Sequence, residues 1–201
     1  MGYESLREEI ANDSEKYGNN LDCVDRHAKN LAKSVADYIH SKRTWRGGCY
    51  SADGEGIDHG IRFGKLTGAT PDGRYAGDQL SKNLQSVFGC DRRGLLAYLH
   101  SVTKIDATDY PNGAPIDFVI HPSAAAGEDG LDAMVAIVRM TFQKGGSALH
   151  GNVYSADMLR DAQAHPENYK GLQVRLCGWS QYFNKLTRDE QDMLIRQAET
   201  A

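Results

Sequence analysis

The 201-residue sequence carries 23 basic and 27 acidic side chains, a net charge of −4 and 40% apolar residues. This length and apolar fraction can supply a folded core for one domain or slightly more. The charge balance offers no basic stripe for nucleic acid, no segment approaches the roughly 18 apolar residues of a membrane span, and the charged N-terminus resembles no secretory signal. We therefore expect a cytoplasmic protein with neither a nucleic-acid partner nor a membrane partner.

The N-terminal part is predicted to be helical and then looped. The first 45 residues are charged and helical in pattern, and residues 24–39 form an amphipathic helix for which Asp22 is the expected cap. Its apolar positions are Val24, Ala28, Leu31, Val35 and Tyr38 or Ile39. Residues 46–77 are dense in glycine, with a turn at Pro71-Asp72-Gly73, but they lack the spacing of a phosphate-binding loop. We interpret them as an ordered loop and the first 45 residues as an appendage that needs more protein to pack against.

Cysteine and histidine are scattered along the chain. Cys23, Cys49, Cys90 and Cys177 form no C-x-x-C pair and no close Cys/His pair, and the seven histidines are equally dispersed. This dispersion predicts neither a metal site nor a disulfide framework. A cysteine–histidine nucleophile pair is an alternative for which the sequence supplies no geometry.

The C-terminal half alternates strand and helix signals. PIDFVIHP (115–122) predicts a strand, and an apolar pattern from Leu131 to Phe142 predicts a helix that stops at Lys144-Gly145-Gly146. A helix capped by Ser155, a strand at LQVRLCGW (172–179) and a helix opened by a capping box at Thr187 to Glu190 follow. The alternation predicts an α/β protein.

The stretch VRLCGWSQYF (174–183) contains the least expected residue of that half. Gly178 interrupts a run of apolar residues, where glycine weakens a strand because it has no side chain to pack and loses more backbone entropy than any other residue. Gly178 is therefore required either for a bend or for chemistry.

The residues around Gly178 support the second alternative. Arg175, Leu176, Cys177, Gly178 and Trp179 resemble the radical-site signature of the glycyl radical enzymes, the pyruvate formate-lyase family. Further segments are similar to that family's C-terminal third in the same order. They are KYGNNLDCVD (16–25), GATPDGR (68–74), SVTK (101–104), the KGG…N of 144–152, DAQAHPENY (161–169) and LTRDEQDMLIRQAE (186–199).

The resemblance implies a fold and a division of the chain. It implies the C-terminal part of the family's ten-stranded barrel together with its glycyl radical domain. Residues 1–75 would be the end of the barrel domain and residues 76–201 the glycyl radical domain.

The resemblance also implies that Gly178 stores a radical. A separate activating enzyme, which uses an iron–sulfur cluster and S-adenosylmethionine, would install it, and this chain would bind no cofactor itself. The chemistry agrees, because an α-carbon radical is stabilised when both flanking peptide units approach one plane, and glycine has no β-carbon to oppose that geometry. Arg175, Leu176, Cys177 and Trp179 would support the loop, with Arg175 as an anchor, while Val174, Leu176 and Trp179 would keep it dry.

In the family, the stored radical takes a hydrogen atom from a cysteine that lies far upstream of the glycine. None of Cys23, Cys49 and Cys90 lies in a segment similar to that cysteine loop, and the Cys177 side chain is expected to point away from the α-carbon of its neighbour. We therefore expect the barrel portion, or a full-length glycyl radical enzyme, as a partner. The chain would be a fragment, a subunit of a split enzyme, or a stand-alone radical cofactor that replaces a damaged C-terminus. The pyruvate formate-lyase (formate C-acetyltransferase) reaction is the default expectation, and a non-catalytic binding module is the rival from another class.

Overall fold

The structure is a computed structural model that describes residues 2–12, 15–56, 59–87, 89–176 and 178–199. Helices and strands alternate in its C-terminal half, which confirms the α/β prediction. The helices are α1 (Tyr3–Asn12), α2 (Asp22–His40), α3 (His59–Gly64), α4 (Leu95–Val102), α5 (Gly127–Gln143), α6 (Ala156–Ala164) and α7 (Arg188–Glu199). The strands are β1 (Pro115–Ile120), β2 (Ala148–Val153), β3 (Gln173–Leu176) and β4 (Trp179–Tyr182).

Strands β1 and β2 form a parallel pair that α5 connects. Strand β1 was predicted, and all of its residues are buried. Strand β2 was not predicted, because polar residues and Gly151 dilute its apolar pattern. Gly151 lies opposite Phe118 in the register, and a Cβ at Gly151 would meet the Phe118 ring at 2.8 Å. The sequence therefore has glycine where the strand must pass close to a ring.

Strands β3 and β4 form an antiparallel hairpin, so the strand predicted over 172–179 is confirmed in its first part and wrong in its continuation to Trp179. Strand β3 ends at Leu176, which pairs with Trp179, so the chain reverses between them. Gly178 has a φ of +90°, a conformation that glycine adopts without a steric cost. The two strand pairs are separate sheets within the described residues, and the ten-stranded barrel stays a prediction.

The hairpin rests on a core formed by the C-terminal elements. Val174 and Leu176 of β3 pack with Leu159 of α6, Phe183 after β4 and Leu194 of α7. Both predicted helix starts are confirmed. The Ser155 hydroxyl accepts a hydrogen bond from the Met158 amide (3.2 Å), and Thr187 and Glu190 form the reciprocal contacts of a capping box.

Helix α2 forms as predicted but buries a different face. Its buried residues are Asp25, Ala32 and Ala36, whereas Leu31, Val35 and Tyr38 are exposed. The buried face packs on the segment after α4, where the Tyr110 hydroxyl donates to the Ala32 carbonyl (2.7 Å). Ala32 and Ala36 occupy the buried face because their small side chains allow the helix backbone to approach the packed segment closely.

The start of α2 also differs from the expectation. Asp22 is the first helical residue rather than the cap, and Leu21 precedes the helix without a side-chain capping bond. The Asp22 carboxylate instead accepts from Lys104 Nζ (2.6 Å), which also donates to the buried Asp25 (2.7 Å). The N-terminal helix is thus tied to the C-terminal half by charge as well as by packing.

Helix α5 has two apolar faces. Met134, Ile137 and Met140 pack against the core beside β1. Leu131, Val135, Val138 and Phe142 form a second stripe, and all four are exposed. The predicted stop is confirmed, since Gly145 follows the helix with a φ of +92°.

The glycine-dense loop is ordered, with its turn at Pro71 to Gly73 and the short helix α3 within it. Residues 57 and 58 lie outside the described residues. No helix in the described part of the chain is long and apolar enough to cross a membrane.

Candidate functional site

Gly178 lies at the tip of the β3–β4 hairpin, which stands over strand β2. The tip residue is exposed, while Val174 and Leu176 below it are buried at 1% and 5% exposure. A glycine held at a reversal by a buried stem is both accessible and fixed in position.

Asn152 of β2 holds the hairpin stem. Its Nδ2 donates to the Arg175 carbonyl (3.0 Å), and its Oδ1 accepts from the Arg175 amide (2.8 Å). One buried side-chain amide thereby satisfies both backbone groups of Arg175 and extends the β1–β2 sheet toward β3. This clamp sets the distance between β2 and the glycine tip.

His150 lies two residues before Asn152, so both side chains project from the same face of β2. A Cβ placed on Gly178 would be 3.5 Å from His150 Cε1 and 3.9 Å from His150 Nε2. The Glu55 carboxylate, from the glycine-dense loop, lies 3.9 Å from the same position. An imidazole and a carboxylate therefore face the α-carbon of Gly178.

The His150 imidazole is held by a buried charged pair. Asp117 is its register partner on β1, and Asp117 Oδ1 lies 3.0 Å from His150 Nδ1. The other oxygen of Asp117 lies 2.5 Å from Lys82 Nζ, and the Asp117 and Lys82 side chains are only 3% and 4% exposed. Asn83 Nδ2 also approaches Asp117 Oδ2 (3.3 Å).

Two buried tyrosines surround this pair. Burial first, and then the charge of Asp117, raises the pKa of the Tyr98 and Tyr154 hydroxyls well above the usual range, so both remain neutral phenols. Tyr98 donates to the Asp117 carbonyl (2.9 Å). The Tyr154 hydroxyl is buried without a hydrogen-bond partner among the described residues.

The predicted support residues occupy different environments. Leu176 is buried in the core under the hairpin, and Arg175 is half-buried with its guanidinium 3.4 Å from the Ser180 hydroxyl. Trp179 is 43% exposed. Cys177 lies outside the described residues.

No atom of the other three cysteines is among the three nearest atoms at the Cβ position of Gly178. Cys23 and Cys49 are exposed and Cys90 is half-buried, all three as free thiols. The atoms nearest to the Cβ position of Gly178 belong to His150 and Glu55. Within the described ranges, no cluster of three potential ligands could hold a metal ion.

Comparison with known families identifies the class. Residues 80–184 match the family model described as "Glycine radical", and residues 1–64 match "Pyruvate formate lyase-like". The first match covers more than half of the chain. The chain therefore belongs to the glycyl radical enzyme family, as its motifs predicted.

Its relatives within the family catalyse different reactions. The chain is 33% identical to trans-4-hydroxy-L-proline dehydratase of Clostridioides difficile over 98% of its length, 34% identical to indoleacetate decarboxylase of Tractidigestivibacter scatoligenes over 99%, and 34% identical to the PFL-like enzyme TdcE of Escherichia coli over 93%. These matches cover 25%, 23% and 25% of the relatives.

Solved structures give the same result for the fold. A solved structure from a study of 1,2-propanediol dehydration in Roseburia inulinivorans superposes with a TM-score of 0.92 at 36% identity. The match covers 97% of this chain and 24% of that one. The glycerol-bound B12-independent glycerol dehydratase of Clostridium butyricum gives 0.91 at 33% identity, over 96% and 25%. The chain spans about a quarter of the length of its relatives.

Sequence reasoning assigned no role to His150, Asp117, Lys82 and Glu55, and it identified Asn152 only as the end of a segment similar to the family. One signal was present: Asp117 is a charged residue in the middle of an otherwise apolar strand, where a carboxylate must have a partner. His150 and Asn152 are two positions apart, so their side chains lie on one face if the segment is a strand. Without a prediction of β2, there was no reason in the sequence to connect them.

Proposed function

We propose that this chain is the radical-bearing portion of a glycyl radical enzyme and that Gly178 carries the radical. The observation that supports this most directly is the position of Gly178 within the matched segment, at an exposed hairpin tip with a φ of +90°. A residue there needs no side chain for packing, and the α-carbon is accessible to an incoming enzyme. The clamped stem limits how far the tip can move from its site.

The reaction begins with removal of a hydrogen atom from the Gly178 α-carbon by a separate activating enzyme that contains an iron–sulfur cluster and uses S-adenosylmethionine. The unpaired electron is shared with the flanking peptide units. When substrate binds, a cysteine thiol returns a hydrogen atom to the α-carbon, its S–H bond breaks, and a thiyl radical attacks the substrate. Arg175, Leu176, Cys177 and Trp179 support the loop during this cycle.

The thiol is supplied by protein outside this chain. The groups nearest to Gly178 in the described structure are an imidazole and a carboxylate, neither of which is a hydrogen-atom donor of this kind. Residues 1–75 form the end of the barrel domain and residues 76–201 the glycyl radical domain, a division supported by the separate family matches at 1–64 and 80–184. The barrel portion is the partner that carries the cysteine.

The exposed helix faces support this partnership. Leu31, Val35 and Tyr38 form one apolar stripe on α2, and Leu131 to Phe142 contain another on α5. Exposed apolar stripes of this kind favour assembly with further polypeptide over an independent binding module. We propose that the barrel portion covers them in the cytoplasm.

The segment does not select the reaction. Its identities to dehydratases, a decarboxylase and a pyruvate formate-lyase-like enzyme lie between 32% and 34%. A part that is equally similar to enzymes of different chemistry carries what those enzymes share. We therefore propose radical storage as its function and assign the substrate to the barrel portion.

Electron paramagnetic resonance tests the proposal. The chain is incubated without oxygen with a glycyl radical activating enzyme, S-adenosylmethionine and reductant, beside a relative that this activating enzyme is known to activate. We expect a doublet signal in the chain, and its collapse when the chain is labelled with α-deuterated glycine. Admission of air should cleave the backbone at Gly178, as mass spectrometry of the fragments would reveal.

The variant Gly178→Ala should abolish both the doublet and the cleavage. It should still fold, since the added Cβ meets nothing closer than 3.5 Å, and the cost is the positive φ, about 1–2 kcal/mol. Gly145→Ala is the matched control, because Gly145 has a φ of +92° and open space around its Cβ position. A doublet in Gly178→Ala, or none in the wild-type chain when the relative is activated, contradicts the proposal.

A further inference from the structure

The Cβ position of Gly178 also identifies one of its two α-hydrogens. A side chain on an L-residue takes the place of the pro-S hydrogen of glycine, so this hydrogen points along the direction of the absent Cβ. That direction leads to His150 Cε1 and Nε2, with Glu55 Oε1 beside them. The pro-S face of Gly178 is therefore directed into the protein, toward β2.

The His150 ring borders the space on that face. Carbon atoms in van der Waals contact are about 3.5–4.0 Å apart, and His150 Cε1 lies 3.5 Å from the position of the Cβ. When the α-carbon becomes a flat radical, one lobe of its singly occupied orbital points at this imidazole edge. The space between the α-carbon and the ring holds about one methyl group, so a diatomic molecule aligned along this direction would contact the ring.

The imidazole is oriented by a buried ion pair. Lys82 and Asp117 are almost completely buried, and the hydration that two such ions lose can offset their mutual attraction. Asp117 Oδ1 accepts from His150 Nδ1, and this bond sets the ring orientation and directs the Cε1–Nε2 edge at Gly178. The orientation is the property that an apolar replacement of the pair would lose.

We propose that His150, oriented by Asp117 and Lys82, is a positioning residue of the radical site that covers the pro-S face of Gly178 and limits oxygen access to the radical from that face. The inference rests on the proposed function, since it concerns the lifetime of the Gly178 radical. Glu55 borders the same face from the glycine-dense loop, so both halves of the chain contribute to the cover.

Two substitutions of His150 distinguish a role in covering Gly178 from a role in stabilising the fold. In His150→Asn, the amide nitrogen can take the place of Nδ1 and bond to Asp117, but the side chain ends short of Gly178. In His150→Gln, the longer side chain can reach toward Gly178 without the ring. His165→Asn is the matched control, because the His165 side chain is 58% exposed and lies outside the site.

The radical is formed without oxygen in each variant, a measured amount of air is admitted, and the decay of the doublet and the growth of cleaved chain are followed. We expect His150→Asn to keep the wild-type melting temperature and yet to lose its radical several-fold faster. His150→Gln should recover part of the lifetime, and His165→Asn should behave as wild type.

The outcomes distinguish the two proposals. A wild-type chain that forms no radical overturns the proposed function, and the inference with it. A wild-type radical whose lifetime in air is unchanged in both His150→Asn and His150→Gln overturns the inference alone. If His150→Asn unfolds, the lifetime of the radical in His150→Gln decides the inference. A lifetime shorter than that of the wild type supports it, and an unchanged lifetime overturns it.

Discussion

Helices α7 and α2 are both amphipathic, yet the chain buries the apolar face of only one of them. Met193, Leu194 and Ala198 of α7 are buried under the hairpin, as their spacing predicts. On α2, Leu31 and Tyr38 are 68% and 64% exposed, and small residues face the core instead. The difference shows that the apolar face of α7 is buried within this chain, whereas the apolar stripes of α2 and of the outer face of α5 are exposed in it.

The largest effect is expected from truncation of a core leucine. Leu194→Ala removes a side chain that is 1% exposed and should lower the free energy of unfolding by about 2–5 kcal/mol, measured by urea denaturation. Leu31→Ala makes the same chemical change on α2, where the side chain is 68% exposed. It should change the free energy of unfolding by no more than about 0.5 kcal/mol. Equal losses in the two variants would show that the two helix faces do not differ.

A smaller loss is expected at the clamp between β2 and β3. Asn152→Ala removes both hydrogen bonds to Arg175 and should cost about 1–3 kcal/mol in the free energy of unfolding, because two backbone groups lose their partners. Asn30→Ala on the exposed side of α2 is the control and should be nearly neutral. Hydrogen exchange at the Arg175 amide should accelerate in Asn152→Ala, and an unchanged rate would contradict the assigned clamp.

The smallest effect concerns thiol reactivity rather than stability. Burial raises the pKa of the Cys90 thiol above its ordinary value of 9.0, so less thiolate is present at a given pH. Cys23 on α2 is exposed. At pH 8, iodoacetamide should therefore alkylate Cys90 more slowly than Cys23 in the folded chain, with the difference removed in denaturant. Peptide mass spectrometry measures both rates, and equal rates in the folded chain would refute the prediction.

Local signals predicted most of the elements. The capping box at Thr187, the Ser155 cap and the Gly145 stop depend on residues within one or two helical turns, and all three are confirmed. The apolar periodicity of α2 correctly predicted a helix but not its buried side, since periodicity identifies an apolar face without specifying which residues the rest of the chain will contact. Strand β2 was missed because Gly151 is explained only by the Phe118 ring on the neighbouring strand.

Only the part of the site that is encoded by neighbouring residues was predictable. Gly178 and its neighbours form a contiguous motif, so the family and the proposed radical residue were apparent from the chain alone. His150, Asp117, Lys82 and Glu55 come from separate segments, and no spacing rule connects them. Their association depends on the parallel register of β1 and β2, which aligns Asp117 with His150.

The sequence by itself therefore determined the α/β class, the family and the glycine, because each is encoded in short runs of residues whose chemistry is local. Tertiary structure alone decided that Gly178 lies at a hairpin tip rather than within a strand, and that an imidazole held by a buried ion pair covers one of its faces. Such contacts form between residues distant in the chain, and their distances are determined only when strands pair and helices pack.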